Sequence, residues 1–199
     1  MKADAARVGI DIAITSAFRD FAAQQRIWDM KFRGERPLYD AAGRLREHAA
    51  LSQEALVDAI MCWSAVPGAS RHHWGTELDL IDLAAMPEGY RVQLVPAETE
   101  PRGVFYGLRC WLDENMARYR YYRPYSTFRG GVLPEPWHVS YAPASSAALH
   151  RLTPGLLSEA ISQSDMLGKD IVLQKLADIH QRYVANVDQP AAGASSAAA

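Results

Sequence analysis

Apolar residues recur at helical spacing in several parts of the chain, and in others they alternate with polar residues as in a strand. Asp20 and Ser52 precede two of the helical stretches and are natural N-cap residues. The predicted helices cover residues 21–32, 52–63, 103–117, 154–163 and 170–187. The predicted strands cover residues 10–16 and 76–83, with a short extended segment at 136–141. Because strands and helices do not alternate regularly, the pattern favours an α+β fold over a doubly wound sheet.

The ends of the chain and one internal stretch need a separate interpretation. Residues 34–49 are polar and rich in turn formers, so we predict a long loop there. Residues 189–199 are dominated by Ala, Ser and Gly and are predicted to be a disordered tail. Residues 1–8 have the character of the last turns of a helix, which fits a truncated N-terminus. We therefore expect a single domain over residues 1–188.

Composition narrows the possible classes of function. The chain has 199 residues, of which 49% are hydrophobic, and its formal net charge of −2 argues against a nucleic-acid-binding protein. The Arg- and Tyr-rich run at 118–125 resembles strand-binding sequences, but with this charge we interpret it as an edge strand or cleft wall. No stretch approaches the roughly 18 apolar residues of a membrane span, and no signal peptide is visible. Cys62 and Cys110 lie in apolar surroundings and are expected to be buried free thiols.

One segment combines two residue types that bind metal ions well, an imidazole and a carboxylate. His72 and Asp79 stand close together in the sequence, and Gly75 between them permits a sharp reversal of the chain. A reversal followed by the start of a strand could bring both side chains onto one ion.

A second cluster contains Glu135, Pro136 and His138. In a regular strand, residues three positions apart point to opposite faces, so Glu135 and His138 converge only if the backbone bends. Pro136 is suited to such a bend because proline disfavours regular helix and sheet interiors. We therefore predict a kink at Pro136.

Together the clusters supply the parts of a catalytic zinc site. Such a site takes protein ligands at three positions and leaves a fourth for water, and His72, Asp79 and His138 fit that requirement. Glu135 is then a free carboxylate that could take a proton from the water. Arg19, at the end of the first predicted strand, could face a developing oxyanion.

Three motifs in this order resemble the signature of the VanY/VanX-type D-alanyl-D-alanine carboxypeptidases and dipeptidases. They are SRHHWGTELD at 70–79, EPWH at 135–138 and TSAFRDFAAQ at 15–24. The resemblance covers most of residues 10–142. The wider group of zinc peptidases includes MepA-like murein endopeptidases, phage endolysins and the N-terminal hedgehog domain.

The resemblance implies a role for each matching position. His72, Asp79 and His138 would bind one zinc ion, and Glu135 would be the general base. Arg19 would stabilise the transition state or hold the substrate. Ser70 and Gln24 would contact the substrate, a peptidoglycan stem peptide. The fold implied is a small antiparallel sheet flanked by helices, like that of hedgehog and the DD-peptidases.

This chain departs from the family pattern in a few places. Glu77 replaces a small residue, usually Ala, and in a strand it shares a face with Asp79, so it could lie near the metal. Ala17 and Phe18 replace the usual Gly and Tyr. His73 is an alternative ligand beside His72. The remaining histidines are expected to have ordinary structural roles: His48, His150 and His180.

These observations lead to three hypotheses about the function. The leading one is removal of the terminal D-Ala from a stem peptide. The alternatives are an endopeptidase that acts on the same polymer through the same site, and a hedgehog-like zinc module that binds a partner without cutting. The substrate class implies the bacterial cell envelope or periplasm. No nucleic-acid partner is expected, and a monomer is expected, although the sequence does not fix the oligomeric state.

Overall fold

A four-stranded antiparallel sheet lies at the centre of the structure, a computed structural model that describes residues 1–191. Its strands are β1 (Ile12–Ser16), β2 (Glu77–Asp82), β3 (Tyr121–Tyr122) and β4 (His138–Tyr141), in the spatial order β1-β2-β4-β3. Every neighbouring pair is antiparallel. The predicted α+β class with a small antiparallel sheet is therefore confirmed.

Helices surround this sheet. They are α1 (Lys2–Ala6), α2 (Phe21–Phe32), α3 (Gln53–Met61), α4 (Tyr106–Asn115), α5 (Ala142–Arg151), α6 (Pro154–Ser162), α7 (Lys169–Gln174) and α8 (Leu176–Ile179). A π-helical stretch, His180–Ala185, continues α8. Short 3₁₀ turns cover His48–Ala50, Arg71–Trp74, Leu83–Ala85, Pro96–Glu98 and Met116–Tyr119. Among the described residues, no helix is long and apolar enough to cross a membrane.

The two faces of the sheet have different chemistry, because side chains alternate along each strand. Leu78 and Leu80 of β2 and Val139 of β4 pack in an apolar cluster against α1 and α4. The opposite face carries polar side chains. A second, larger apolar core joins α2, α3 and α6–α8 and includes Trp28, Val57, Ile60, Leu157 and Ile161.

The register of β2 and β4 decides which polar residues meet. Asp79 lies directly opposite His138, and Glu77 lies directly opposite Ser140. Directly opposed residues on one face have Cβ atoms about 4.5–5.5 Å apart, so their side chains can touch. The predicted sharing of a face by Glu77 and Asp79 is confirmed.

Helix boundaries that depend on local capping agree with the sequence. Helix α2 has the predicted bounds, and Asp20 accepts a hydrogen bond from the Ala23 backbone N–H at 2.6 Å. Ser52 likewise accepts from the Ala55 backbone N–H at 3.2 Å at the start of α3. The run at 118–125 contains the edge strand β3, as expected.

Other predictions need correction. The helix predicted over 170–187 is divided into α7, α8 and the π-helical stretch, with a break at Lys175. Helix α5 was not predicted, because its Ala- and Ser-rich sequence shows little apolar periodicity. Cys62 and Cys110 are free thiols, but both are partly exposed instead of buried. Most of the predicted tail, residues 192–199, lies outside the described residues.

The loop between the Leu83–Ala85 turn and α4 is organised by one buried carboxylate, Glu98. It accepts hydrogen bonds from the backbone N–H groups of Gln93 at 2.9 Å and Leu94 at 2.8 Å, and from the Tyr90 hydroxyl at 2.8 Å. Leu94 is held in the left-handed region with φ 54°. Because Val95 and its neighbours in this loop line the main cleft, Glu98 supports one wall of that cleft.

We predict that Glu98→Ala lowers the free energy of unfolding by about 1–3 kcal/mol, since it leaves several donors without their acceptor. Chemical denaturation measures this change, and faster proteolysis of the loop should accompany it. Glu100→Ala is the matched control, because Glu100 is exposed in the same loop and should change stability by less than about 0.5 kcal/mol. Equal stability of the Glu98 variant and the wild type would contradict this role.

Candidate metal centre

Three side chains from different parts of the chain converge on the polar face of the sheet. They are His72 in the Arg71–Trp74 turn, Asp79 in β2 and His138 at the start of β4. One potential ligand atom from each lies within 4.8 Å of the others, and all three residues are buried. The structure thus brings together the predicted set of candidate ligands.

The chain reversal expected at Gly75 accounts for the position of His72. Gly75 ends the Arg71–Trp74 turn in the left-handed region with φ 69°, a conformation that residues with a Cβ atom rarely adopt. Strand β2 begins immediately afterwards, so His72 is folded back over the strand that carries Asp79.

Hydrogen bonds fix the orientation of both imidazole rings. Nδ1 of His72 pairs with the Ala17 carbonyl oxygen at 2.7 Å, which leaves Nε2 facing Asp79 Oδ2 at 3.4 Å. His138 is turned the other way. Its Nε2 pairs with Glu77 Oε2 at 2.8 Å, which leaves Nδ1 facing Asp79 Oδ1 at 3.0 Å. Each ring therefore presents one nitrogen to the centre of the cluster.

This donor set fits a zinc ion. Zinc bonds of about 2.0–2.1 Å in a tetrahedral site place neighbouring ligand atoms roughly 3.3 Å apart. The separations between the imidazole nitrogens and the Asp79 oxygens, 3.4 Å and 3.0 Å, are close to that value. Two histidines and one carboxylate are also a common composition for catalytic zinc sites.

The electrostatics of the cluster also favour a cation. Burial opposes the charged form of His138, but hydrogen bonds to Asp79 and Glu77 outweigh it and raise its pKa to about 10. Burial raises the pKa of Asp79, but hydrogen bonds from His138 and His72 outweigh it and hold this pKa well below its usual range. The buried carboxylates thus stabilise positive charge at the position that a metal ion would occupy.

Glu77 is held by a network behind His138. Its Oε1 atom accepts hydrogen bonds from Arg71 at 3.2 Å, Thr76 at 2.9 Å and Ser140 at 2.7 Å. Glu77 is completely buried, and Arg71 is 4% exposed. The carboxylate is therefore rigid and keeps the Nε2 side of His138 occupied, which is how carboxylates orient metal-binding histidines.

The predicted kink at Pro136 is present. Pro136 and Trp137 form a turn in which the His138 backbone N–H donates to the Glu135 carbonyl oxygen at 3.1 Å. Arg123 supports the turn through a 2.6 Å hydrogen bond from Nε to the Pro136 carbonyl oxygen. The turn brings Glu135 Oε2 to 3.6 Å from His138 Nδ1. Glu135 and His138 therefore lie on the same side of the chain, although they are three positions apart.

Glu135 has the electrostatics of a general base. Burial raises its pKa to about 7, and the charge of Asp79 acts in the same direction, whereas His138, Lys31 and Arg19 lower it. A carboxylate with a pKa near neutrality can both accept and return a proton at physiological pH.

Arg19 lines the same cleft, and two hydrogen bonds fix its guanidinium group. Its Nη1 donates to Gln24 Oε1 at 2.6 Å, and its Nη2 donates to Ser16 Oγ at 2.8 Å. Gln24 uses its other amide group to donate to the Ala65 carbonyl oxygen at 2.6 Å. The structure therefore shows Gln24 positioning Arg19, and a direct contact between Gln24 and a substrate stays a prediction.

The structure also shows the surroundings of Ser70 and of histidines outside the candidate metal cluster. Ser70 is buried, lines the cleft and makes no side-chain capping hydrogen bond. His73 uses both ring nitrogens within the fold: Nδ1 pairs with the Arg19 carbonyl oxygen at 2.6 Å, and Nε2 accepts from the Gly68 N–H at 3.1 Å. His73 is thus a structural residue. His48 and His180 each bond a backbone carbonyl oxygen.

The three candidate ligands, Arg19, Ser70 and Glu135 line one cleft of about 520 Å³. Tyr125, from the run at 118–125 that the sequence analysis interpreted as an edge strand or cleft wall, also lines it. The sequence analysis did not single out a further set of lining residues: Ile27, Lys31, Arg36, Tyr39 and Trp63. The sequence contained one indication that Lys31 lies in this cleft. It follows Gln24 at helical spacing and therefore shares the same face of α2.

Two histidines and an aspartate converge on the polar face of the sheet, beside a glutamate whose pKa burial raises to about 7. These residue types in this arrangement are typical of the sites of metal-dependent hydrolases. A family model described as VanY, D-alanyl-D-alanine carboxypeptidase, matches residues 1–144. The chain therefore belongs to the VanY family of peptidases, and the resemblance seen in its motifs is confirmed.

Similar proteins are found among curated sequences and solved structures. An uncharacterised protein of Haemophilus influenzae is 36% identical over 121 residues, which is 60% of this chain and 92% of the relative. A D-alanyl-D-alanine carboxypeptidase of Enterococcus faecalis is 31% identical over 148 residues, 72% of this chain and 45% of that protein. A mutant of the vancomycin resistance D,D-pentapeptidase VanY in complex with Zn(II) is 24% identical, with a TM-score of 0.48; the match covers 75% of this chain and 72% of that chain.

We predict that Glu77→Ala weakens zinc binding by about 10- to 100-fold, because His138 loses the group that fixes its ring. Glu77→Gln keeps an acceptor oxygen, so its zinc affinity should lie between those of Glu77→Ala and the wild type. Competition with a chromogenic chelator measures the affinity, and circular dichroism checks that each variant is folded. Glu88→Ala removes an exposed carboxylate and serves as the control. A folded Glu77→Ala protein with wild-type zinc affinity would contradict the role assigned to Glu77.

Proposed function

We propose that this protein is a zinc-dependent D-Ala-D-Ala carboxypeptidase that removes the terminal D-Ala from peptidoglycan stem peptides, with one zinc ion per chain. The observation that carries the proposal is the convergence of His72, Asp79 and His138, with donor atoms within 4.8 Å, beside Glu135 in one cleft. Membership of the VanY family supports the reaction class.

The metal and Glu135 would have separate catalytic roles at the scissile bond. Zinc, when bound by His72, Asp79 and His138, supplies Lewis acidity that polarises a carbonyl and lowers the pKa of water. Glu135 takes a proton from the attacking water and passes it to the nitrogen of the leaving D-Ala. Its Oε2 atom lies 3.6 Å from His138 Nδ1, so it is next to the candidate ligands.

Arg19 would stabilise the negative charge that develops on the carbonyl oxygen. Its hydrogen bonds to Ser16 and Gln24 fix the guanidinium before the substrate arrives, so little reorganisation is needed during the reaction. Ser70 lines the same cleft and is proposed to contact the peptide. A substrate of this class places the protein in the bacterial cell envelope or periplasm.

We predict that Glu135→Gln lowers kcat for release of D-Ala from a pentapeptide ending in D-Ala-D-Ala by about 10²- to 10⁴-fold, the range for loss of a general base. The glutamine keeps the size of the side chain and cannot accept the proton. Zinc content, measured by mass spectrometry of the intact protein under native conditions, should stay at the wild-type value.

Glu100→Gln is the matched control for this experiment, since Glu100 is an exposed carboxylate outside the cleft. It should retain wild-type kcat and KM. If Glu135→Gln bound zinc and still released D-Ala at a rate near that of the wild type, Glu135 could not be the general base.

A further inference from the structure

Lys31 lies in the same cleft but has no part in the chemistry described above. It is in the last turn of α2 and is partly buried. Its ammonium donates one hydrogen bond, to Ser64 Oγ at 2.6 Å. An ammonium group has three donors, so this contact leaves capacity for an acceptor in the cleft.

The surroundings of Lys31 compensate its charge only in part, because Glu135 favours the charged form but makes no ion pair with it. The ionisable groups that act on it are Glu135, Arg36, Arg19 and Cys62. Glu135 is placed for proton transfer, and Arg36 and Arg19 add positive charge. The carboxylate of Glu35, which precedes Arg36 in the sequence, pairs with Arg33 at 2.6 Å. Within residues 1–191, neither Lys31 nor Arg36 forms an ion pair.

A buried ammonium without a counterion is unfavourable. Burial accordingly lowers the pKa of Lys31 to about 8, a value that still leaves it mostly protonated near neutral pH. Charge-assisted hydrogen bonds to a carboxylate would restore the lost solvation. Because Lys31 and Arg36 both line the cleft that holds the candidate metal ligands, a substrate that binds there could supply such a carboxylate.

We propose that Lys31, assisted by the exposed Arg36 in the same cleft, binds a carboxylate of the substrate peptide and thereby selects substrates that carry it. This proposal rests on the proposed peptidase function. The carboxylate has two possible sources, the C-terminus of the leaving residue or a carboxylate on the part of the peptide that precedes the scissile bond.

Two matched pairs of peptides distinguish these sources. In the first pair, stem pentapeptides carry either meso-diaminopimelate or L-lysine at the third residue, which differ by one carboxylate. In the second pair, the peptide ends in a free carboxylate or in an amide. Steady-state kinetics on the zinc-loaded wild type, Lys31→Met and Lys31→Arg give KM and kcat for each peptide.

We predict that Lys31→Met raises KM about 10- to 100-fold for the carboxylate member of one pair, with little change in kcat, and abolishes the preference within that pair. Lys31→Arg should retain much of the preference. Lys169→Met is the matched control, since Lys169 is a partly buried lysine that donates to the Ser164 carbonyl oxygen outside the cleft.

The preference should also depend on pH. Because the pKa of Lys31 is lowered to about 8, the ratio of kcat/KM within the selected pair should fall as the pH rises above about 8. Lys31→Arg should hold the ratio constant there, since arginine stays charged. Of the other groups that act on Lys31, Arg36 and Arg19 keep their charge over this pH range, and Glu135 and Cys62 are unchanged in the Lys31→Arg protein, which therefore serves as the control for their titration.

Unchanged preferences and KM values in Lys31→Met, with both pairs turned over, would overturn the proposal. A lack of turnover in the wild type would instead count against the proposed function. In that case, calorimetric titration of the same two pairs of pentapeptides still tests Lys31, because binding requires no cleavage. Loss of discrimination in Lys31→Met would then support the carboxylate site, and equal binding by both proteins would refute it.

Discussion

The antiparallel pairing of β2 with β4 is the constraint on which the site depends. It sets Asp79 opposite His138 and Glu77 opposite Ser140 on the polar face of the sheet. The other face packs Leu80 and Val139 into an apolar core. Since side chains alternate along a strand, a slip of one residue would exchange these faces and bury the acidic groups among leucines. The hydrophobic core therefore fixes the register, and the register builds the candidate metal centre.

A chain of contacts between charged and polar side chains extends from the β2–β4 pairing. Arg71 and Ser140 hold Glu77, Glu77 orients His138, and His138 and His72 face Asp79. Glu135 stands at the edge of this cluster, where burial brings its pKa to about 7. The same fold thus provides carboxylates that favour a cation and one carboxylate whose proton affinity suits acid–base catalysis. Arg19 and Lys31 add positive charge to the lining of the same cleft.

The sequence predicted those features that depend on neighbouring residues. Helix α2 was predicted with its bounds because Asp20 caps it, and the bend at Pro136 followed from proline chemistry. Helix α5 was missed because alanine and serine give no apolar stripe, although Ala142 and Ser145 are buried. The contacts of Gln24 with Arg19 and of Arg71 with Glu77 could not be predicted either, since they depend on side-chain directions and on pairing between distant segments.

The central claim is that the His72–Asp79–His138 cluster binds one zinc ion and that this ion is needed to release D-Ala. The most direct measurement is D-Ala release, by mass spectrometry, from a pentapeptide ending in D-Ala-D-Ala as metal-free protein is titrated with zinc. We predict that release rises in proportion to zinc up to one ion per chain, then levels off, and stops when a chelator is added. Absence of release from protein that holds one zinc ion per chain, or release that a chelator does not affect, would contradict the claim.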